Sequence, residues 1–258
     1  MRNPEGTPIW YELLTPDHDA SKAFYDHVIG WTIGGKPDGG MDYRMIGTSS
    51  GEFVGGVMQL TGEMTANGAK PTWLFYIGVE DVDASFDKVK ANGGGVLMPP
   101  FDIPGAGRAA FVTDPQGNPF YIMRGNTDQA STAYDRTGMG KCNWNELNTP
   151  DQVGANAFYA DTFGWTYPDK MSMGDLGDYF FVMAGDTTIG ATMTVQPHDT
   201  AGWRFYFRTP DIDDTAKKVV ETGGAVLAGP MEVPGGDRII VATDPHGVVF
   251  GAVGPGNP

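Results

Sequence analysis

The chain repeats itself, and that repeat limits its fold more than any other feature. Residues 9–31, IWYELLTPDHDASKAFYDHVIGW, lie over residues 143–165, NWNELNTPDQVGANAFYADTFGW, with eleven of 23 positions identical and no gap. Residues 73–120 lie over 203–250 with 20 of 48 identical. The offset falls from 134 to 130 between the two alignments, so the second half is four residues shorter in its middle. A chain built this way folds as two related halves, each with its own core. Both copies place a lone carboxylate, Glu12 or Glu146, two residues past a tryptophan in a stretch that reads as an apolar strand. A buried carboxylate needs a partner or a task.

Each half reads as a smaller unit used twice. PIWYELL is strand-like and leads through TPD into a helix. Ala20, Ala23 and Phe24 share one face of that helix, and Gly30 is placed to end it. Three short strands are expected near 31–34, 42–47 and 53–59, with glycines between them. The order then restarts. TWLFYIGV reads as a strand, and the next helix has Asp81 or Asp83 as its N-cap, with Val82, Phe86 and Val89 on one face. Strands near 95–98, 108–113 and 118–124 complete the unit. The unit is βαβββ and the chain holds four, an α+β fold of curved, open mixed sheets. The expected boundaries are 1–125 for the first domain, a polar, glycine-containing linker at 126–139, and 140–258 for the second domain.

Composition narrows the function classes. The net charge is −15 and the basic residues form no cluster, which disfavours nucleic acid and anionic membrane surfaces as partners. No apolar run approaches the ~18–20 residues of a membrane span, and MRNPEGTPIW lacks the apolar centre of a signal peptide. A cytoplasmic protein is the expectation. The lone cysteine, Cys142, opens a strand and reads as a small buried filler. The glycine-rich connections match no phosphate-binding loop, so they read as turns.

Paired βαβββ units with FY…GW closing the first helix and DPxG before the last strand resemble the vicinal oxygen chelate superfamily. That group includes glyoxalase I, bleomycin resistance proteins and extradiol dioxygenases. The residues are Phe24–Tyr25, Gly30–Trp31 and TDPQGNPF at 113–120, repeated as Phe158–Tyr159, Gly164–Trp165 and TDPHGVVF at 243–250. Within the superfamily the chain is similar to a tandem, glyoxalase-like subgroup. The resemblance implies sheets curled into cups, each holding a ligand and usually a divalent metal.

The resemblance also says where metal ligands belong. Family histidines on the first strand fall at Trp10 and Trp144. Ligands opening the second module of each half fall at Leu74 and Arg204. The glutamate four residues past the DPxG glycine falls at Tyr121 and Gly251. Indole nitrogen has no free lone pair, leucine has no donor atom and arginine repels a cation. The histidines, His18, His27, His198 and His246, fall in turns, loops or a helix end, away from inward strand positions. The expectation is therefore no family-type metal centre and no cofactor, with a divalent metal as the alternative.

If the family register holds, Trp10, Glu12 and Leu14 face the first cup with Leu74, Tyr76 and Tyr121. Trp144, Glu146 and Asn148 face the second with Arg204, Tyr206 and Arg208. The candidate ligand-binding set is Trp10, Glu12, Tyr76, Tyr121, Trp144, Glu146, Arg204 and Tyr206. Glu12 and Glu146 act either as ligand contacts or general bases, or as buried acceptors braced by Arg108 and Arg238 of the repeated P-G-x-x-R. Trp10 and Trp144 either fill the floor or offer a stacking platform. Trp73 and Trp203, one residue out of phase, should pack against helices, and Trp31 and Trp165 read as core.

Three functions fit these expectations. The first is a metal-free protein that binds a small organic molecule. The second is a lyase, isomerase or dioxygenase, metal-dependent or using Glu12 or Glu146 as base. The third is a structural or interaction protein with vestigial cups. Four modules in one chain allow a monomer, and a dimer as well. The pairing of modules, one with two and three with four, or one with four and two with three, stays open.

Overall fold

The computed structural model describes residues 2–256. Four βαβββ modules follow one another along it. The first comprises β1 (Pro8–Thr15), α1 (His18–Val28), β2 (Thr32–Ile33), β3 (Tyr43–Gly47) and β4 (Phe53–Gln59). A short helix, α2 (Gly62–Ala66), precedes the second: β5 (Thr72–Gly78), α3 (Val82–Ala91), β6 (Gly95–Ile103), β7 (Gly107–Thr113) and β8 (Pro119–Gly125). The third holds β9 (Cys142–Thr149), α4 (Gln152–Phe163), β10 (Lys170–Ser172), β11 (Asp178–Ala184) and β12 (Thr187–Thr194). The fourth holds β13 (Gly202–Arg208), α5 (Ile212–Glu221), β14 (Ala225–Glu232), β15 (Arg238–Thr243) and β16 (Val249–Gly254). The expected strands lie within a residue or two of these bounds, except that β6 runs longer. The expectations contained no α2, a single turn capped by Thr61 with no buried residue to give it a periodic apolar face.

The strand order is β2-β3-β4-β1-β5-β8-β7-β6 in one eight-stranded sheet and β10-β11-β12-β9-β13-β16-β15-β14 in the other. Both are open and mixed. The first strand of each module runs parallel to its last, β1 with β4 and β5 with β8. The three later strands pair antiparallel. The main helices start on aspartates that cap free backbone amides: Asp17, Asp81, Asp151 and Asp211. No helix among the described residues is long and apolar enough to cross a membrane.

By packing, the chain forms two compact units. One contains Leu74–Ser131 and Asn145–Trp203, with the N-terminal residues through Ile9. The other contains Trp10–Trp73, Thr132–Trp144 and the residues from Arg204 onward. In packing, modules two and three thus go together, and so do one and four, whereas the strand order joins one to two and three to four.

The core of each unit is organised by one buried phenol. Tyr25, on α1, is fully buried. Its hydroxyl accepts from Trp73 Nε1 at 3.0 Å and donates to Asp244 Oδ2 at 3.2 Å. The other oxygen of Asp244 accepts from the backbone amides of His246 and Val248, both at 2.9 Å. The other unit repeats this. Tyr159 accepts from Trp203 Nε1 at 2.9 Å and donates to Asp114 Oδ2 at 3.1 Å. Asp114 Oδ1 takes the amides of Gln116 and Asn118. The turns close at Gly117 and Gly247, with φ of +88° and +80°, which side chains beyond glycine rarely adopt. Burial pushes both phenols above their ordinary pKa, so they stay protonated donors.

Rings enclose this relay. Tyr25 packs against Phe24, Trp31, Trp73 and Phe250, with centroids 4.9 to 5.7 Å away. Trp31 and Trp165 are core as expected, 4% and 1% exposed. Trp73 and Trp203 face the helix side, also as expected. On β1, Tyr11 and Leu13 point into this core, and Tyr11 meets Phe205 and Phe207 edge-on. The neighbouring positions Trp10, Glu12 and Leu14 therefore occupy the opposite face.

The segment 132–141 is tied to the first module. Thr132 Oγ1 and Lys141 Nζ both donate to Glu52 Oε1 at 2.8 Å, and these bonds hold the Glu52 carboxyl down to about 2. Cys142 is fully buried and its thiol is pushed up to about 12, chiefly by desolvation. It is a filler, as expected, with no thiolate to act as nucleophile.

Removing the phenol hydroxyl strands an indole N–H and a carboxylate. Tyr25→Phe should cost about 1–3 kcal/mol of unfolding free energy in denaturant melts, and Tyr159→Phe should cost a similar amount. Asp244 adds a pH dependence. Burial raises its carboxyl above the ordinary 3.8. The native state then keeps this proton to higher pH than the unfolded chain. The group's contribution is fullest below 3.8 and is lost as pH rises through the raised value. Asp244→Asn should remove that loss, so its stability relative to the parent should improve from pH 4 toward neutrality in ~1-unit steps of parallel denaturation curves.

Candidate functional site

The open face of each first strand carries the candidate residues. In module one, Trp10 is partly exposed and its Nε1 donates to Tyr43 Oη at 2.8 Å. Glu12 is 1% exposed. It pairs in register with Gly56, and a Cβ at Gly56 would collide with the Tyr43 ring. The phenol thus lies flat over that glycine, on the face that carries Trp10 and Glu12.

Module three has the same plan with a different wiring. Glu146 is 7% exposed. Its Oε2 accepts from Tyr179 Oη at 2.8 Å, and its Oε1 accepts from Asn148 Nδ2 at 3.0 Å. Tyr179 also meets Phe181 edge-on, 5.9 Å between centroids. Glu146 is therefore a fixed carboxylate with a donor on each oxygen.

Modules two and four differ most. In module two, Tyr76, Tyr121 and Phe111 are neighbours across β5, β8 and β7. Tyr121 stacks on Tyr76 and on Phe111, each at 4.3 Å, with planes 9° and 17° apart. In module four the residue matching Tyr121 is Gly251, and Tyr206 fills the space. A Cβ at Gly251 would collide with the Tyr206 ring. Tyr206 packs with Val241 and Val253, and Trp144 joins that cluster. The guanidinium of Arg136 lies 5.2 Å over the Trp144 ring. Trp144 is thus half platform and half core, partly exposed but packed on its inner side.

The arginines need one correction. Arg108 and Arg238 do not brace the glutamates. Arg108 grips Asp83 with two bonds of 2.7 and 2.8 Å and reaches Asp102 at 3.0 Å. Arg238 holds Asp213 at 2.8 Å. Asp83 and Asp213 lie in the first turns of α3 and α5. The repeated P-G-x-x-R therefore clips a hairpin to a helix of its own module. Periodicity along the strands could not reveal this, because the aspartates lie 25 residues away. Arg208, expected near Glu146, forms a two-bond pair with Asp237 at 2.7 and 3.0 Å and reaches Asn143 Oδ1 at 3.3 Å. Arg204 is buried.

Tyr43 and Tyr179 were absent from the sequence expectations. Both sit in an Asp-Tyr pair, Asp42–Tyr43 and Asp178–Tyr179, on the antiparallel strand next to the last strand of their module. An alignment carried through the divergent middle of the two halves would expose that match.

The residues at the family's metal positions do not fit a metal. Trp10 spends its N–H on Tyr43, Tyr121 is sandwiched between rings, and Tyr206 covers Gly251. Leu74 and Arg204 supply no cation donor. No group of three His, Cys, Asp or Glu side chains among the described residues could hold a metal ion.

Comparison with known proteins places these features. The profile of the Glyoxalase/Bleomycin resistance protein/Dioxygenase superfamily matches residues 8–122 and 141–251. A Mycobacterium tuberculosis protein, carried under the provisional name glyoxylase CFP32, is 37% identical over 97% of this chain and 95% of its own length. The anthracycline biosynthesis protein DauV of a Streptomyces species is 32% identical over 96% of this chain and 93% of its own. Among solved structures, the Mn(II)-bound glyoxalase from Novosphingobium aromaticivorans superposes with a TM-score of 0.68 at 18% identity, covering 97% of this chain and 82% of that one. The 2,3-dioxygenase LapB from Pseudomonas sp. KL28 gives 0.65 at 12% identity, covering 100% and 94%. At those identities the structures speak to fold alone. The repeated profile match and the full-length relatives settle the family: this chain belongs to the Glyoxalase/Bleomycin resistance protein/Dioxygenase superfamily.

Proposed function

We propose that the chain binds a small, flat organic molecule on the open sheet faces of its modules, without the metal centre of its relatives. The observation that carries this reading is the exchange of metal donors for rings. Trp10 and Trp144 stand at the first-strand positions, Tyr121 stands at one glutamate position, and the Tyr206 ring covers the other at Gly251. Ring faces bind planar ligands by offset stacking and apolar burial, with a few polar groups setting orientation.

The relatives support the choice of ligand. DauV and the Streptomyces peucetius protein DnrV are both named for anthracycline biosynthesis and align with nearly the whole chain. Anthracyclines are built on a planar, hydroxylated, polycyclic quinone. A ligand of that shape suits the partly exposed surfaces of Trp10, Tyr43, Trp144 and Tyr179.

Donors on both oxygens of Glu146 suit a brace that holds the Tyr179 ring better than a base awaiting a proton. The candidate contacts are then Trp10, Tyr76, Tyr121, Trp144 and Tyr206, with Glu12, Glu146 and Arg204 as the polar members of the set.

Titration with 2,6-dihydroxyanthraquinone should quench tryptophan fluorescence to saturation, and excess EDTA should leave the curve unchanged. Purified protein should carry well under one equivalent of divalent metal by elemental analysis. A stoichiometric metal whose removal abolishes binding would overturn the reading. A second expectation concerns the covered position. Gly251→Ala should destabilise the fold by about 1–3 kcal/mol in denaturant melts, because the added Cβ must displace the Tyr206 ring.

A further inference from the structure

The chain holds eight arginines against 32 acidic side chains, and six of the eight have a carboxylate within 3.3 Å. Arg136 breaks that pattern. It is exposed, and among the described residues no carboxylate pairs with it. Its guanidinium rests instead 5.2 Å over the Trp144 ring. A contact of that kind leaves most of the five N–H donors for another acceptor.

The other half holds the same arginine in a different state. The 134-residue offset sets Arg2 over Arg136 and Gly6 over Gly140. The two glycines show that the match is structural. Both have positive φ, +84° and +70°, and their carbonyls accept the indole N–H groups of Trp165 and Trp31 at 2.8 and 2.6 Å. Arg2 is held by Glu80 at 2.8 Å and by Asp128 at 2.5 Å. In the second half Pro210 stands at the position of Glu80. One copy of the arginine is neutralised, and the other keeps its charge.

The surface beside Arg136 suits a flat apolar body. Tyr206, Val241 and Val253 form a cluster, with Trp144, Ile239 and Val249 packed around it. Tyr206 and Val241 both pair with Gly251, and Ile239 pairs with Val253, so these side chains share one face of the sheet. Trp144, Ile239 and Val249 are partly exposed there. Arg136 and this face belong to one compact unit. At a net charge of −15 the chain as a whole repels an acid, so a preference for one has to come from a local cation.

We infer that Arg136 is the anion-recognising residue of the module-four face, where its guanidinium takes the carboxylate of a planar aromatic acid whose rings lie beside Trp144 on the apolar surface. This rests on the small-molecule reading above and adds the charge of the ligand to it. Arg2, already held by two carboxylates, gives the first half no equivalent contact.

The test compares 9,10-anthraquinone-2-carboxylate with its neutral 2-carboxamide on the full chain by tryptophan fluorescence. The parent protein should bind the carboxylate about tenfold more tightly at low salt. Raising the ionic strength from about 0.01 M to about 1 M cuts the screening length from ~30 to ~3 Å and should shrink that preference. Arg136→Gln should erase it while still binding the carboxamide, and Arg136→Lys should keep part of it. Arg2→Gln should leave it unchanged, with thermal melts confirming that each variant is folded. If the probes bind but the parent shows no preference for the carboxylate, or the preference survives in folded Arg136→Gln, the inference fails and the planar-ligand reading stands. If neither these probes nor 2,6-dihydroxyanthraquinone binds the parent protein, the planar-ligand reading fails and takes this inference with it.

Discussion

The phenol of a helical tyrosine, held between an indole N–H and a turn carboxylate, is the contact on which each compact unit is built. Tyr25 and Tyr159 reach from the first helices of their halves to Asp244 and Asp114, 219 and 45 residues away. The same carboxylates close their own DPxG turns through two backbone amides. One side chain therefore joins helix, strand and turn, inside a cage of rings that excludes competing water. In that setting a satisfied hydrogen bond is worth most and a broken one costs most. This gives the FY, GW and DPxG motifs a common physical reason.

With its core face committed in this way, each first strand has only its other face for a ligand. Tyr11 and Leu13 belong to the core, so Trp10, Glu12 and Leu14 are left to the opposite side. There the positions to which the family resemblance assigns metal ligands carry Trp10, Trp144 and Tyr121, and in module four the ring of Tyr206 occupies the space a side chain would need above Gly251. A carboxylate placed there would require moving a buried ring.

The two glutamates, alike in sequence, sit in different settings. Glu146 accepts from Asn148 and Tyr179, and in the first half the hydroxyl of Tyr43 accepts from Trp10 Nε1. Duplication supplied the same strand twice. Single exchanges such as Leu14 against Asn148 and Tyr121 against Gly251 then gave the two halves different side chains at matching positions.

Read alone, the sequence determined the repeat, the four βαβββ modules, the family resemblance and the identity of the residues at the family's metal positions. These are properties of order and spacing along the chain. Apolar periodicity and turn residues act over a few positions, so they survive without coordinates. The tertiary structure decided the partners. Arg108 and Arg238 chose helix aspartates over the glutamates, and Arg208 chose Asp237. Tyr43 and Tyr179 entered the open faces from a stretch where the halves no longer align without a gap. Each choice joins residues 25 to 33 positions apart, at distances of about 3 Å. A hydrogen bond depends on distances and angles in space, and spacing along the chain cannot supply those.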